Sequence, residues 1–339
     1  MNLIIERSHN PSHNLAREEM LFNHVEEDTV YLWRNNPSVI IGRHQNTLAE
    51  VDEAAAAREH IGIVRRLTGG GAVFHDLGNI NFSFIFPDGV FEEKAAQGLQ
   101  MMISYLQSCG APCFANGRND ICMTDSSGNV VKISGTAMTQ REERGIFHGC
   151  ILFDCNLAAM EKVLTPKKEK LVSKGVTSVR SRVSNLRGLV PALRHISADI
   201  FFEDWGKELS KSCQLIGKMS PDEEEEIAAL VESRYGNRQW NFGRNPTCTM
   251  EVSCRFPVGT VTFHGDIKGS EIKSCSFSGD YLGLEDFGEI SARLQGVEFS
   301  YSAIEKALKG IKLEAYFGTS NKEDILNFLT GRSKESWHL

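Results

Sequence analysis

The stretch from Arg65 to Asn79, RRLTGGGAVFHDLGN, constrains the fold more than any other part of the chain. The apolar segment GIVRR leads into it, and the segment NINFSFIF begins at its last residue. Apolar residues at every second position predict a β-strand, with the phenylalanines on one face and Asn79, Asn81 and Ser83 on the other. The three glycines are therefore predicted to connect two strands rather than to open a helix.

This glycine stretch has the composition of an anion-binding loop. Glycine lets backbone amides approach an anion without a Cβ in the way, and Arg65 and Arg66 add planar donors suited to carboxylate or phosphate. The Walker A pattern and the dinucleotide pattern GxGxxG are both missing from it. A tight glycine-rich turn with surface arginines is the alternative.

Length and composition predict a soluble, globular protein of two domains. A chain of 339 residues is too long for most single cores, and a net charge of −7 argues against a general nucleic-acid binder. The first residues lack a signal-peptide core, and no apolar run is long enough to span a bilayer. None of the nine cysteines forms a CxxC pair, which favours reduced thiols and a cytoplasmic location.

Predicted helices and a linker segment divide the chain into two parts near residue 246. Asn14 is predicted to cap a helix over LAREEMLFNHVEE, and Phe91 to Ser108 has apolar residues at helical spacing. Ser220 to Glu223 reads as a capping box with proline at the first helical position. The segment NFGRNPT then resembles a linker, followed by alternating strands and three helical patterns. We predict domains 1–246 and 247–339.

Lys132 is a second candidate functional residue, because it interrupts the apolar strand VVKISGTAM. A lysine in such a strand either faces water or has a function. The nearby Asp120 in GRNDICM and the glycine loop favour function.

Together these motifs resemble the lipoate–protein ligases. The matching segments occur in the family's order: LWRNNPSVIIGRHQN, RRLTGGGAVFHDLGNINFSF, GRNDICM, KISGTAM, FHGCILF and KGVTSVRSRVSNL. The resemblance implies an α/β fold of mixed sheets with flanking helices, shared with biotin ligases, and a small α+β C-terminal accessory domain. It also implies that lipoate and ATP form lipoyl-AMP with Mg²⁺, and that the lipoyl group then passes to an acceptor lysine.

The resemblance assigns roles to individual residues. Lys132 would be catalytic and would contact both the lipoate carboxylate and the α-phosphate. ATP and lipoyl-AMP would be held by Arg66, Gly71, Ala72, Val73, Phe74 and Lys132. Lipoate would also contact Trp33, His75 and Gly149. Supporting roles would fall to Asn79, Asp120, His148, Arg180 and Arg182, the last two within an adenylate-binding loop at 166–183.

The implied partners are lipoyl-acceptor domains of 2-oxoacid dehydrogenase complexes or the glycine-cleavage H protein. The resemblance also implies a monomer that has no metal site and binds neither nucleic acid nor a membrane. Cys150 stands where many relatives have threonine, and its thiol is a poorer hydrogen-bond donor. An apolar tunnel discriminates poorly between acyl chains of similar length, so octanoate is expected as a weaker substrate.

Other functions stay open. Cys113 would be the nucleophile of a cysteine-dependent octanoyl or lipoyl acyltransferase, and a lipoyltransferase would use preformed lipoyl-AMP. A biotin ligase would need a GRGR-type loop, which is missing. A binding protein that has lost catalysis is disfavoured by Lys132 and Arg66.

Overall fold

A mixed eight-stranded sheet organises the N-terminal part of the chain. The computed structural model describes residues 1–116, 120–164, 183–217, 219–242, 249–268, 270–282 and 285–331, except the side chains of residues 48 and 49. The strands up to residue 242 are β1 (Asn2–Ile5), β2 (Thr29–Trp33), β3 (Ser38–Ile41), β4 (Gly62–Arg65), β5 (Val73–His75), β6 (Asn79–Phe86), β7 (Phe114–Asn116), β8 (Asp120–Thr124), β9 (Val130–Arg141), β10 (Arg144–Leu152) and β11 (Gln214–Leu215). The large sheet has the order β11-β1-β2-β6-β10-β9-β8-β7.

Helices cover both faces of this sheet. They are α1 (Pro11–His24), α2 (Thr47–Glu50), α3 (Glu53–Arg58), α4 (Phe91–Ser108), α5 (Leu157–Val163), α6 (Leu186–Leu189), α7 (Ala198–Leu209), α8 (Pro221–Leu230) and α9 (Arg238–Phe242). In the part of the chain that the structure describes, none of the helices has the length and apolar character needed to cross a membrane.

The apolar face of the large sheet carries the main core. Phe82 and Phe84 of β6 pack there with Met102 and Leu106 of α4 and with Trp205 of α7. The predicted helix over Phe91 to Ser108 is confirmed, and its apolar residues face this core.

The opposite face is polar at its centre, yet it is buried as well. Asn79, Asn81 and Ser83 are fully buried, because α1 and a small sheet of order β4-β3-β5 lie on that side. The predicted alternation along β6 is confirmed, and the buried polar face marks the place where a site can form.

The C-terminal part builds a core of its own. Its strands are β12 (Met250–Phe256), β13 (Gly259–Lys268) and β14 (Glu271–Gly279), and its helices are α10 (Gly288–Leu294), α11 (Tyr301–Ala307), α12 (Glu314–Phe317) and α13 (Lys322–Leu329). The three strands form an antiparallel meander, and Phe263, Phe317 and Phe328 lie in the core that the helices cover. The predicted boundary near residue 246 lies outside the described residues.

The first helix begins earlier than the sequence predicts. Its cap is Asn10, whose side chain accepts hydrogen bonds from the amides of Ser12 and His13, and Pro11 starts the helix with a suitable φ. The predicted cap, Asn14, is instead buried and donates to the carbonyl oxygens of Ser8 and Arg34. The capping box at Ser220 and Glu223 is confirmed.

Candidate active site

A β-bulge brings Lys132 into the buried polar face of the large sheet. The pairing of β8 with β9 shifts between Ile121 and Cys122, so that Cys122 faces Lys132 while Asp120 faces Gly135. Lys132 therefore lies on the same side of the sheet as Gly135, three residues further on. A Cβ on Gly135 would be 2.9 Å from the lysine Nζ, so the glycine leaves the space that the lysine side chain fills.

Lys132 is held at this position by Asp120. Its Nζ lies 2.6 Å from the Asp120 Oδ1, and both side chains are partly exposed. The bulge and the ion pair together fix an ammonium group at the end of the polar face, where an anionic substrate can reach it.

Five directly paired residues cross the sheet at this level. In order from β2 to β8 they are Trp33, Asn81, Cys150, Gly135 and Asp120. Neighbouring strands are about 4.8 Å apart, so the backbones of Trp33 and Asp120 at the two ends of this row are roughly 19 Å apart. We call it the floor row.

Arg66 lies in the loop between β4 and β5, above this face. Its guanidinium donates to the Thr68 Oγ1 at 3.0 Å and to the carbonyl oxygens of Ile40 and Gly69 at 3.2 and 2.5 Å. Burial lowers the pKa of Arg66 to about 10, which leaves the group charged at neutral pH. Within the described part of the chain, its hydrogen-bond partners are a hydroxyl and two carbonyl oxygens, so Arg66 is a fixed positive charge without a directly bonded carboxylate there.

A chain of hydrogen bonds joins Arg66 to the buried carboxylate of Glu18. The Thr68 Oγ1 lies 2.7 Å from the His148 Nε2, and the His148 Nδ1 lies 2.8 Å from the Glu18 Oε1. Because Thr68 accepts from Arg66, its own hydrogen can go to the Nε2, which assigns the His148 proton to Nδ1. The relay thus connects two buried charges of opposite sign.

The same carboxylate also orients the far end of the floor row. Ser83 donates to the Glu18 Oε1 at 2.5 Å, and the Trp33 Nε1 donates to the Ser83 Oγ at 3.1 Å. The indole of Trp33 is therefore fixed by the same acid that orients His148.

The three glycines differ in what a side chain would meet at each position. A Cβ on Gly69 would overlap the carbonyl oxygen of Tyr281, and Gly70 has a φ of +88° beside the guanidinium of Arg66. A Cβ on Gly71 would meet nothing within 4 Å. Only Gly71 thus borders open space, where a ligand can come against the backbone.

The residues that follow the glycines extend this border. Ala72 is half-buried, Val73 begins β5, and the Phe74 side chain is buried in a separate core, so Phe74 can offer only its backbone. The Asn79 amide nitrogen donates to the Phe74 carbonyl oxygen at 2.9 Å and holds the two ends of this turn together.

His75 lies beside Trp33. The two rings meet edge to face at 5.9 Å, and the His75 Nδ1 is 3.2 Å from the Asn35 amide nitrogen. Burial, with the positive charge of Arg66 and the neighbouring His148, lowers the pKa of His75 to about 3. His75 is therefore neutral at physiological pH and suits an apolar part of a ligand.

Gly149 does not share this face. A Cβ there would lie 2.6 Å from the Gly135 carbonyl oxygen and 2.7 Å from the Phe82 Cζ. The glycine therefore serves close packing on the core side, which argues against its predicted contact with lipoate. Its neighbours His148 and Cys150 are the residues of β10 that face the site.

Arg65 also departs from the prediction of an anion-binding pair. It is completely buried and donates to the carbonyl oxygens of Gly42, Gln45 and Trp240 at 2.9, 2.7 and 2.9 Å. The Arg65 guanidinium therefore holds the segment before α2 against α9, and only Arg66 reaches the site.

The two cysteines of interest occupy different environments. Burial raises the pKa of the Cys150 thiol, while Lys132 and Arg66 oppose that shift from within the site. Cys113 lies in the main core, its Sγ 3.9 Å from the Ile103 carbonyl oxygen, and burial raises its pKa to about 11. A nucleophile needs a thiolate and a nearby base, so the environment of Cys113 disfavours the acyltransferase alternative.

Two of the predicted residues, Arg180 and Arg182, lie outside the described residues. Conversely, the structure brings Glu18, Thr68 and Asn81 to this face, and no sequence motif assigns a role to them. A polar residue at every second position of β6 was the available signal for Asn81. Glu18 has none, since a glutamate in a helix normally indicates a solvated face.

Comparisons with known proteins show the family to which this chain is similar. Residues 10–210 match the family model described as the lipoyl protein ligase A/B catalytic domain, and residues 245–329 match the bacterial lipoate protein ligase C-terminus. The chain is 35% identical over 330 residues to the lipoate-protein ligase LplJ of Bacillus subtilis, covering 94% of this chain and 96% of that protein.

Solved structures share the fold. LipL1 of P. falciparum, in a crystal structure with lipoate, is 22% identical with a TM-score of 0.70 over 97% of this chain and 98% of that one. A lipoate-protein ligase A bound with ATP is 24% identical with a TM-score of 0.59, covering 72% and 98%. The expected α/β fold is confirmed, and the chain belongs to the lipoate–protein ligase family of enzymes.

Proposed function

We propose that this enzyme activates lipoate with ATP and transfers the lipoyl group to a lysine of an acceptor protein. In the first step, a lipoate carboxylate oxygen attacks the α-phosphorus of ATP and pyrophosphate leaves. In the second, the acceptor amine attacks the carbonyl carbon of lipoyl-AMP, AMP leaves, and the amine loses a proton. The observation that carries the proposal is the bulge that brings Lys132 onto the polar face below Arg66.

Fixed positive charge is what the first step requires. Two anions, the carboxylate and the α-phosphate, must approach each other, and charge then develops on the phosphate oxygens. Lys132 would contact both anions, and Arg66 with the amides of Gly71, Ala72, Val73 and Phe74 would hold the phosphate. Donors held in place beforehand stabilise such charge better than water, which must reorganise.

The other end of the floor row suits the acyl chain. Trp33 and the neutral His75 border it, and Asn79 and His148 support these walls through the contacts described above. Arg180 and Arg182 would contact the adenylate, a role that rests on the sequence alone.

Mg²⁺ would arrive with the nucleotide. Among the described residues, no group of three or more histidine, cysteine, aspartate or glutamate side chains could hold a metal ion. Mg²⁺ commonly binds through substrate phosphates and one or two carboxylates, so a dedicated cage is not required. This ion would neutralise the leaving pyrophosphate.

The acceptors would be lipoyl domains of 2-oxoacid dehydrogenase complexes or the glycine-cleavage H protein. We also propose that the enzyme is a cytoplasmic monomer, divided into a catalytic domain, 1–246, and an accessory domain, 247–339. The lack of CxxC pairs supports the cytoplasmic location. The family-model matches over residues 10–210 and 245–329 support the division into two domains.

Release of pyrophosphate on mixing the enzyme with lipoate, Mg²⁺ and ATP tests the proposal. Lys132→Ala should reduce that rate by about 10²–10³-fold while the thermal unfolding curve stays close to that of the wild type. Lipoyl transfer from added lipoyl-AMP, with no pyrophosphate release from ATP, would instead identify a lipoyltransferase.

Cys113→Ser distinguishes the ligase from the cysteine-dependent acyltransferase. A ligase should keep most of its activity in this variant, because Cys113 lies in the core and not on the polar face. Modification from an acyl-carrier thioester without ATP, abolished by Cys113→Ser, would favour the acyltransferase.

A further inference from the structure

Asn81 is a buried amide whose polar atoms have no partner. Its side chain is 0% exposed, and neither the Nδ2 nor the Oδ1 has a hydrogen bond in the described structure. Its neighbours on the same face of β6 differ, since Asn79 donates to Phe74 and Ser83 to Glu18. Leaving both polar atoms of a buried amide unsatisfied is costly, and Asn81 lies on the polar face next to Trp33, so a ligand on that face would supply its missing partners.

The position of Asn81 in the floor row indicates which part of a ligand it meets. It pairs with Trp33 on one side and with Cys150 on the other, and Gly135, over which the Lys132 Nζ lies, is the next residue. Two inter-strand spacings of about 4.8 Å separate Asn81 from Gly135, so the backbones of these two residues are roughly 10 Å apart. A carboxylate at Lys132 would therefore bring the far end of its acyl chain to Asn81.

We propose that Asn81 is a specificity-determining residue that recognises the dithiolane ring of lipoate. The inference rests on the proposed function, in which the lipoate carboxylate lies at Lys132. The Nδ2 would donate to a ring sulfur, with the ring between the amide and the Trp33 indole.

This contact distinguishes lipoate from octanoate. The disulfide sulfurs of the dithiolane ring are, like a thioether sulfur, weak hydrogen-bond acceptors, and they are polarisable beside an amide and an aromatic ring. Octanoate offers only methylene and methyl groups there, so the amide stays unpaired in the complex. A site with a buried polar group discriminates against a ligand that cannot pair with it more strongly than an apolar wall does.

The test measures dissociation constants of lipoate and octanoate by titration calorimetry, which needs no turnover. Asn81→Leu removes the amide while keeping a similar volume. We expect lipoate binding to weaken by about three- to ten-fold, the worth of one neutral hydrogen bond, and octanoate binding to stay constant or tighten. The preference for lipoate should fall by at least the same factor.

Ser134→Ala is the matched control. Ser134 is also 0% exposed with an unpartnered Oγ, but it pairs with Ile121 and Ile151 and so faces the main core. It should leave the ratio of the two dissociation constants unchanged. A measurement on the wild type covers the case of poor folding: the isostere of lipoate with both sulfurs replaced by methylenes should bind like octanoate.

The outcomes separate the inference from the function on which it rests. Equal losses for both acids, no loss in Asn81→Leu, or an isostere that binds as well as lipoate would each overturn the role of Asn81. Lipoate binding without pyrophosphate release would count against the proposed function alone. A wild type that binds neither acid would overturn both.

Discussion

The carbonyl oxygen of Tyr281 accepts a hydrogen bond, 3.2 Å long, from the amide of Gly70. Next to it, the Tyr281 ring stacks on His44 at 4.4 Å, and the Gly279 amide donates to the His44 carbonyl oxygen at 2.9 Å. The C-terminal part of the chain therefore rests directly on the glycine loop that carries Arg66. The same glycine loop thus carries a residue of the candidate site and contacts the C-terminal part of the chain.

Gly69→Ala should weaken this contact. The added Cβ would overlap the Tyr281 carbonyl oxygen, which is backbone and cannot turn aside, so one segment must move. We expect the free energy of unfolding to fall by about 1–3 kcal/mol, measured by urea denaturation. An unchanged denaturation midpoint would contradict the close approach of these two segments.

Gly71→Ala should leave stability nearly unchanged and lower activity instead. Its Cβ would enter open space, so stability should change by less than about 0.5 kcal/mol. Pyrophosphate release should nevertheless slow, since the methyl group would lie where the adenylate approaches the backbone. Full activity in this variant would mean that the ligand does not use this border.

Comparison of Lys132 with β6 shows what the sequence can and cannot predict. The alternation in NINFSFIF correctly predicts a strand with a polar and an apolar face, because the period of two is a property of the backbone. Lys132 and Gly135 are three residues apart, and strict alternation would assign them to opposite faces. The bulge at Ile133, opposite Ile121 and Cys122, reverses that assignment, and it arises from pairing with β8, which local sequence does not reveal.

The buried relay predicts a non-additive double mutant. His148→Leu alone would leave the Glu18 carboxylate without the Nδ1 donor, and Glu18→Leu alone would leave His148 without its acceptor. Each should cost about 3 kcal/mol of unfolding free energy, because a buried polar partner is stranded. The double mutant should lose clearly less than the sum, as measured by urea denaturation. Strict additivity would mean that the two residues do not act as a pair.

Cys150→Thr tests the unusual residue of the floor row. Threonine would replace the thiol by a hydroxyl, a stronger donor, at a position that feels the positive charges of both Lys132 and Arg66. We expect kcat/KM for lipoate to rise by up to about ten-fold, the worth of one hydrogen bond, with little change in thermal stability. Cys150→Val, of similar shape without a donor, is the control and should not improve on the wild type.

His75 should make stability sensitive to mild acid. Its pKa is about 3 in the folded protein against 6.5 when exposed, so the unfolded chain binds the extra proton between these values. The free energy of unfolding therefore contains the full contribution of neutral His75 above pH 6.5, and that contribution is lost as the pH falls toward 3. The loss at pH 5 is about 1–2 kcal/mol. His75→Gln should remove that part of the pH dependence, measured as unfolding free energy at pH 7 and pH 5.

Glu6 is a second buried group whose ionisation makes stability depend on pH, and its effect must be separated from that of His75. Burial alone would raise the pKa of the Glu6 carboxyl, but His13, the Ser8 amide and Arg17 together outweigh it and hold that pKa well below the usual 4.5. The stability from Glu6 is complete above pH 4.5 and is lost only below it, as the pH falls toward the lowered value. The interval from pH 6.5 to 5 therefore reports on His75 with Glu6 ionised in both folded and unfolded chains. If the wild type and His75→Gln lose the same stability over that interval, His75 is not held neutral beside Trp33 and Arg66.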